Sequence, residues 1–198
     1  MTAAVTGRDV RRPPGTGIVL GSAAPLPTPQ RRRTLSMSLA PDPAAQALLP
    51  LLEEQNSRIS FAAFDYDDAY RLGSTIMAKA TADDLKITVT MTFGEQRVFH
   101  AARPGTTADN DDWLARKFRV VARYNAPSFL ISTKYRARGL DFNEATGLPV
   151  TQYAAAGGAF PLRVNGSVIG AVGVSGLVEN LDHDLVVWAL EAARAAAV

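Results

Sequence analysis

Two histidines, a band of cationic side chains and a run of glycines are the parts of this chain from which a metal or ligand site could be built. His100 and His183 are its two histidines, and imidazole suits iron or other transition metals near neutral pH. His100 closes a strand and alternates with Phe99, which makes it an ordinary strand-end histidine first and an iron ligand second. His183 lies in an Asp182-His183-Asp184 triplet at the start of the last helix. Consecutive residues of a helix point in different directions, so the triplet supplies one metal ligand at most. A helix N-terminus lowers the pKa of His183 and its two neighbours raise it, which leaves its charge open.

Arg116, Arg119 and Arg123 fall on one helical face with Lys117 beside them. A solvated face is the plain reading, and a carboxylate held by Arg116 or Lys117 is the functional one. Trp113, a turn earlier, reads as a core or interface anchor, with ligand stacking as the alternative. The pocket candidates are Gly157, Gly158, Phe160 and Pro161 at a strand start, where small residues let another group approach the backbone. A bulge or an oligomer edge explains the same residues. Ser175-Gly176 ends the following strand, so both segments can line one cleft. No nucleophile-elbow pattern surrounds Ser175, which argues against a hydrolase triad with His183. Asp109, Asp111 and Asp112 already complement the helix after Gly105-Thr106-Thr107, so that loop is not an anion cradle. Asp109 is expected as its N-cap, and Asp112 to Arg116 as an i,i+4 pair.

These residues need elements to position them. Asn165-Gly166 between two apolar runs predicts a tight hairpin joining Phe160–Val164 to Val168–Val174. A second hairpin joins Lys86–Phe93 to Gln96–Ala102 across Gly94-Glu95. Ile59–Phe64 is expected as a fifth strand. Helices are expected from Pro43, capped by Asp42, to about Asn56; from Asp65 to about Ala82; from Asp109 to Tyr124; from Ser128 to about Arg138; and from Leu181 to Ala196, capped by Asp182. Asp141–Thr151 reads as irregular. Antiparallel hairpins with segregated helices give an α+β class.

The hydrophobic fraction of 47% and charged fraction of 20% are those of a soluble globular domain. With no cysteine, disulfides, thiolate metal sites and iron–sulfur clusters are excluded. No apolar run reaches the length of a membrane span, and cytoplasm is the expected location. Residues 1–36 carry six arginines against Asp9, a net charge of +5, while residues 37–198 carry 15 basic and 18 acidic side chains, a net of −3. A basic tail on an acidic body is weak evidence for nucleic-acid binding, and no nucleic-acid partner is expected. Residues 1–40 are expected as a disordered basic extension and residues 41–198 as one domain. A start at Met37 and a twin-arginine export signal at Arg32-Arg33 are the alternatives, the second lacking a clean apolar region.

Several motifs occur together in order: Phe64-Asp65…Asp68-Ala69…Leu72-Gly73; Gly105-Thr106…Asp109-Asn110…Trp113…Arg116-Lys117; Gly147-Leu148…Tyr153-Ala154…Gly157-Gly158…Phe160-Pro161; and Val174-Ser175-Gly176-Leu177…Asp182-His183…Val186-Val187. The set resembles the haem-degrading-domain superfamily (GlcG- and HbpS-like proteins), and within it the uncharacterised branch of bacteria and fungi, uncharacterised protein family 0303. The resemblance spans about Pro50 to Leu190. It implies a profilin-like fold of α/β/α layers with a five-stranded antiparallel sheet, assembled as a homo-oligomer, with haem as a possible ligand. The expected function is small-ligand binding without evident catalytic machinery. An interaction scaffold and a haem-degrading oxidoreductase are the rivals, and no nucleotide fingerprint favours the latter.

Overall fold

Order along the chain follows local signals that the structure, a computed structural model describing residues 40–196, makes concrete. The basic N-terminal extension expected over residues 1–40 lies outside the described residues as far as residue 39. Helix α1 runs Pro43–Arg58, its first turn capped by Asp42, which accepts from the N–H groups of Ala44 and Ala45. Helix α2, Tyr66–Ala82, opens with a reciprocal capping box between Asp65 and Asp68. Strands β1, Thr88–Phe93, and β2, Gln96–Ala102, form the first hairpin. Helices α3, Ala108–Tyr124, and α4, Ser128–Arg136, follow, then a single turn α5, Phe142–Thr146, where irregular chain was expected. Strands β3, Ala159–Val164, and β4, Ser167–Ser175, form the second hairpin, and α6, Glu179–Ala196, closes the chain.

Asn165 and Gly166 both take positive φ, 50° and 81°, as a two-residue turn matched to strand twist requires. The sheet is antiparallel throughout with order β2-β1-β4-β3, so the two hairpins join through β1 and β4. It has four strands, not the five expected. Ile59–Phe64 contributes one bridge, Phe61 to Val164, and that bridge is parallel. The segment crosses the edge of β3 instead of running along it: Phe61 donates to the Arg163 carbonyl, and Asn165 donates to that of Phe61.

Side-chain alternation divides the sheet into two faces. Val89, Met91, Phe160, Leu162, Val172 and Val174 form the main core with α2 and α6. The opposite face is covered by α3, at whose contact Gly173 leaves room for Leu114 and Phe118. Helices α1 and α5 pack on α4, forming a second core around Leu52, Val120, Phe129 and Phe142. The result is an α/β/α arrangement in which α3 and α6 lie on opposite faces and start near the same end of the sheet.

Two cap expectations are corrected. Thr107, not Asp109, caps α3, in a capping box with Asn110 that leaves Asp109 exposed in the first turn. Asp182 does not cap α6, because the helix begins three residues earlier, at Glu179.

Candidate functional site

A cleft of about 420 Å³ opens where α3 and α6 begin, past the end of β4. Its residues include Trp113 and Lys117 from α3, Ser175 from β4, and Glu179 and Asp182 from α6. Three sequence candidates, Trp113, Lys117 and Ser175, are thereby brought together. Lys117 forms the floor. Its ammonium donates to the Val174 carbonyl at 3.2 Å and to Asp182 Oδ2 at 3.0 Å, and the two side chains are only 4% and 3% exposed. The other Asp182 oxygen accepts from the Leu177 N–H. Burial pushes the Asp182 carboxyl up, against the pull of Lys117 and the backbone donors.

Glycines shape the space behind that floor. A Cβ on Gly157 would lie 1.8 Å from the Glu179 carbonyl oxygen, so the start of α6 can sit there only over glycine. Gly158 has φ of +111°, and a Cβ there would press on Val174, Asp182 and Lys117. The close approach that the glycine pair predicts is made by the protein's own chain.

The remaining candidates stand elsewhere. Arg116 lies over the Trp113 ring at 4.1 Å and beside Asp112 at 2.7 Å, though without hydrogen-bond alignment to it. The expected Asp112–Arg116 pair is therefore present as an ion pair. Phe160 is fully buried in the main core, and Pro161 is buried opposite Ala171, so neither lines the cleft. His183 is sealed between Phe129 and Phe160 with Nε2 at 3.0 Å from Gln55 Oε1. Burial lowers its pKa to about 4, so it is neutral at pH 7. His100 stands on the open edge strand, its Nδ1 at 2.9 Å from Thr90 Oγ1 and its Nε2 at 3.6 Å from Asp111.

The sequence pattern offers Lys117 a solvated face or a bound carboxylate, and Asp182 a helix cap; in the fold both side chains are buried. A periodicity signal was available for both. Lys117 lies three residues from Leu114 and four from Val121, and Asp182 three and four from Leu185 and Val186, so each sits on an apolar helical face. A charged residue in such a register is buried and must be paired.

The family model for the haem-degrading protein HbpS-like family matches residues 64–191. The chain belongs to the HbpS-like family. An uncharacterised UPF0303 protein of Streptomyces avermitilis is 46% identical to this HbpS-like chain over 144 residues, 72% of the chain and 88% of the relative. Among solved structures, Ybr137w superposes with a TM-score of 0.70 at 24% identity over 77% of this chain and 91% of its own. A PduOC–haem complex does so at 0.55 and 19% identity, over 66% and 94%. At these identities the two structural likenesses are likenesses of fold. Every cleft residue named above falls within the matched range.

Proposed function

We propose that this HbpS-like protein is a homo-oligomeric small-ligand-binding protein whose ligand lies in the cleft between Trp113, Lys117 and Ser175. The observation that carries this reading is the Lys117–Asp182 pair at the floor of an open cleft. A buried ion pair is poor at stabilising a fold, because desolvation offsets its Coulomb attraction. Paired beneath an indole that is 37% exposed, it makes instead a polar floor under an apolar wall, the usual make-up of a small-molecule site. Self-association is supported by Tyr66 and Tyr70, exposed on α2 beside Phe93 and Phe99 next to the open β2 edge.

Haem is the ligand that the family description and the PduOC complex suggest. Iron needs a histidine, tyrosine, methionine or thiolate ligand. Among the described residues the linings of the three principal cavities hold none. Of the two histidines, His183 is enclosed in the core and His100 stands at the open edge. The cleft residues do not fit an iron-ligated haem, and a small organic molecule suits them better.

Native mass spectrometry of the purified full chain tests the reading. A multimer retaining a small molecule that Trp113→Ala or Ser175→Ala releases is the expected result. A bare monomer, or a retained molecule indifferent to both substitutions, overturns it.

A further inference from the structure

Resting on that reading of the cleft, the hydrogen-bonding capacity left over in it narrows the chemistry of its ligand. The acidic groups are satisfied internally. Glu179 accepts from Arg136 on one oxygen and from the Gly157 N–H on the other. Asp182 accepts from Lys117 on one and from Leu177 on the other. Asp109, at the rim, is exposed and solvated. Neither Glu179 nor Asp182 therefore has an oxygen free of a donor.

The donors are in the opposite state. An ammonium has three N–H bonds, and Lys117 uses two, on Val174 and Asp182. Asn110 Nδ2 has two, of which one reaches the Ser175 carbonyl at 3.4 Å. The Ser175 side chain lines the cleft on a residue 4% exposed, and its hydroxyl makes no hydrogen bond among the described residues. That oxygen is not one of the fully enclosed unpartnered atoms, so it opens onto the cleft, where a ligand can take its hydrogen bond. Each unused group can donate, and Trp113, with the Arg116 guanidinium over one face of its ring, adds an aromatic wall beside them.

We infer that the cleft binds a small planar monocarboxylate, its oxygens taking hydrogen bonds from Lys117, Ser175 and Asn110 and its flat body lying against Trp113. One negative charge suits the site. A cation finds Glu179 and Asp182 already taken by donors and only the exposed Asp109 at the rim, and a second negative charge on the ligand roughly doubles its repulsion from these three carboxylates. Hydrogen bonds from a charged donor to a carboxylate are about twice as strong as neutral ones, which separates an acid from its amide.

The test uses benzoate as probe, with benzamide, benzylamine and phenyl phosphate as neutral, cationic and dianionic counterparts of one ring. Trp188→Phe leaves Trp113 as the sole tryptophan, so its fluorescence reports the cleft. Benzoate is expected to quench that emission saturably and to bind at least about tenfold more tightly than the other three, a difference of about 1.4 kcal/mol. Ser175→Ala is expected to weaken benzoate by about fivefold to tenfold, the worth of one hydrogen bond. Saturable binding of benzylamine, benzamide or phenyl phosphate as tight as benzoate overturns the carboxylate assignment and leaves the cleft standing. Quenching by none of the four overturns both. The probe comparison needs no variant at Lys117 or Ser175, so it holds if either substitution disturbs folding.

Discussion

Lys117 of α3 and Asp182 of α6, from helices on opposite faces of the sheet, meet at 3.0 Å with Val174 as the third partner. The contact ties the two helical layers together at the end of the sheet where the cleft opens. Removing one partner leaves the other charged and buried, so Lys117→Met or Asp182→Leu is expected to cost about 3–5 kcal/mol in urea unfolding. The double variant is expected to recover most of that loss, because two apolar side chains need no partner. If the pair serves binding, the double variant folds and binds no ligand. A double variant as unstable as either single one contradicts this account.

Gly157 and Gly166 separate two reasons for glycine. At Gly166 a Cβ meets nothing within 4 Å but φ is +81°, so Gly166→Ala is expected to cost about 1–2 kcal/mol from backbone strain alone. At Gly157 the difficulty is contact, since a Cβ falls 1.8 Å from the Glu179 carbonyl oxygen and backbone cannot swing aside as a side chain does. Gly157→Ala is therefore expected to displace the start of α6, to cost on the order of 3 kcal/mol, and to weaken ligand binding as Glu179 and Asp182 move. Equal losses at both positions, with the cleft intact, would refute the distinction.

Much of this was legible in the sequence, because local chemistry fixed it. Asn165-Gly166 announced the second hairpin, Asp42-Pro43 the first helix, and the ordered motifs the family. What failed depended on tertiary context. Ile59–Phe64 is apolar enough for a strand, yet it pairs with β3 through a single parallel bridge at Phe61. Asp109 and Asp182 are good capping residues, but Thr107 and an earlier helix start displaced them. Gly157 and Gly158 correctly signalled a close approach without revealing that the approaching group is Glu179, Val174 and Lys117. Trp113, Lys117 and Ser175 are candidates from the sequence, whereas Asn110 and Glu179 carry no such signal; a solvated face is the plain reading of Lys117, although its spacing from Leu114 and Val121 places it inside.

His183 gives the fold a defined acid sensitivity. Its pKa is lowered to about 4 by burial, against about 6.5 in an unfolded chain. Between those values the unfolded state binds the proton and the folded state does not, so stability is full above about pH 6.5 and falls as the pH drops towards 4. The difference amounts to about 3 kcal/mol at its limit. His183→Phe, a ring for the space between Phe129 and Phe160, is expected to remove this part of the pH dependence. Urea midpoints at pH 7.5 and 4.5 check it, and an unchanged difference between the two midpoints would assign the acid sensitivity to other groups.

His100 is the exposed histidine at which haem could be ligated, and the geometry sets how well. Its side chain is 31% exposed, with Nδ1 engaged by Thr90 and Nε2 directed at Asp111. Iron would have to take Nε2 from Asp111, and none of the three cavities named above has His100 or Asp111 in its lining to hold the porphyrin there. Haemin titration of the full chain is therefore expected to give at most weak binding, with a Soret change abolished by His100→Ala and strengthened by Asp111→Ala. His183→Phe should leave it unaltered, since the core must open before that ring meets a ligand. A tight, saturable Soret band lost in His183→Phe, with far-UV circular dichroism unchanged, would mean that the core opens around Phe129 and Phe160 and that iron reaches His183.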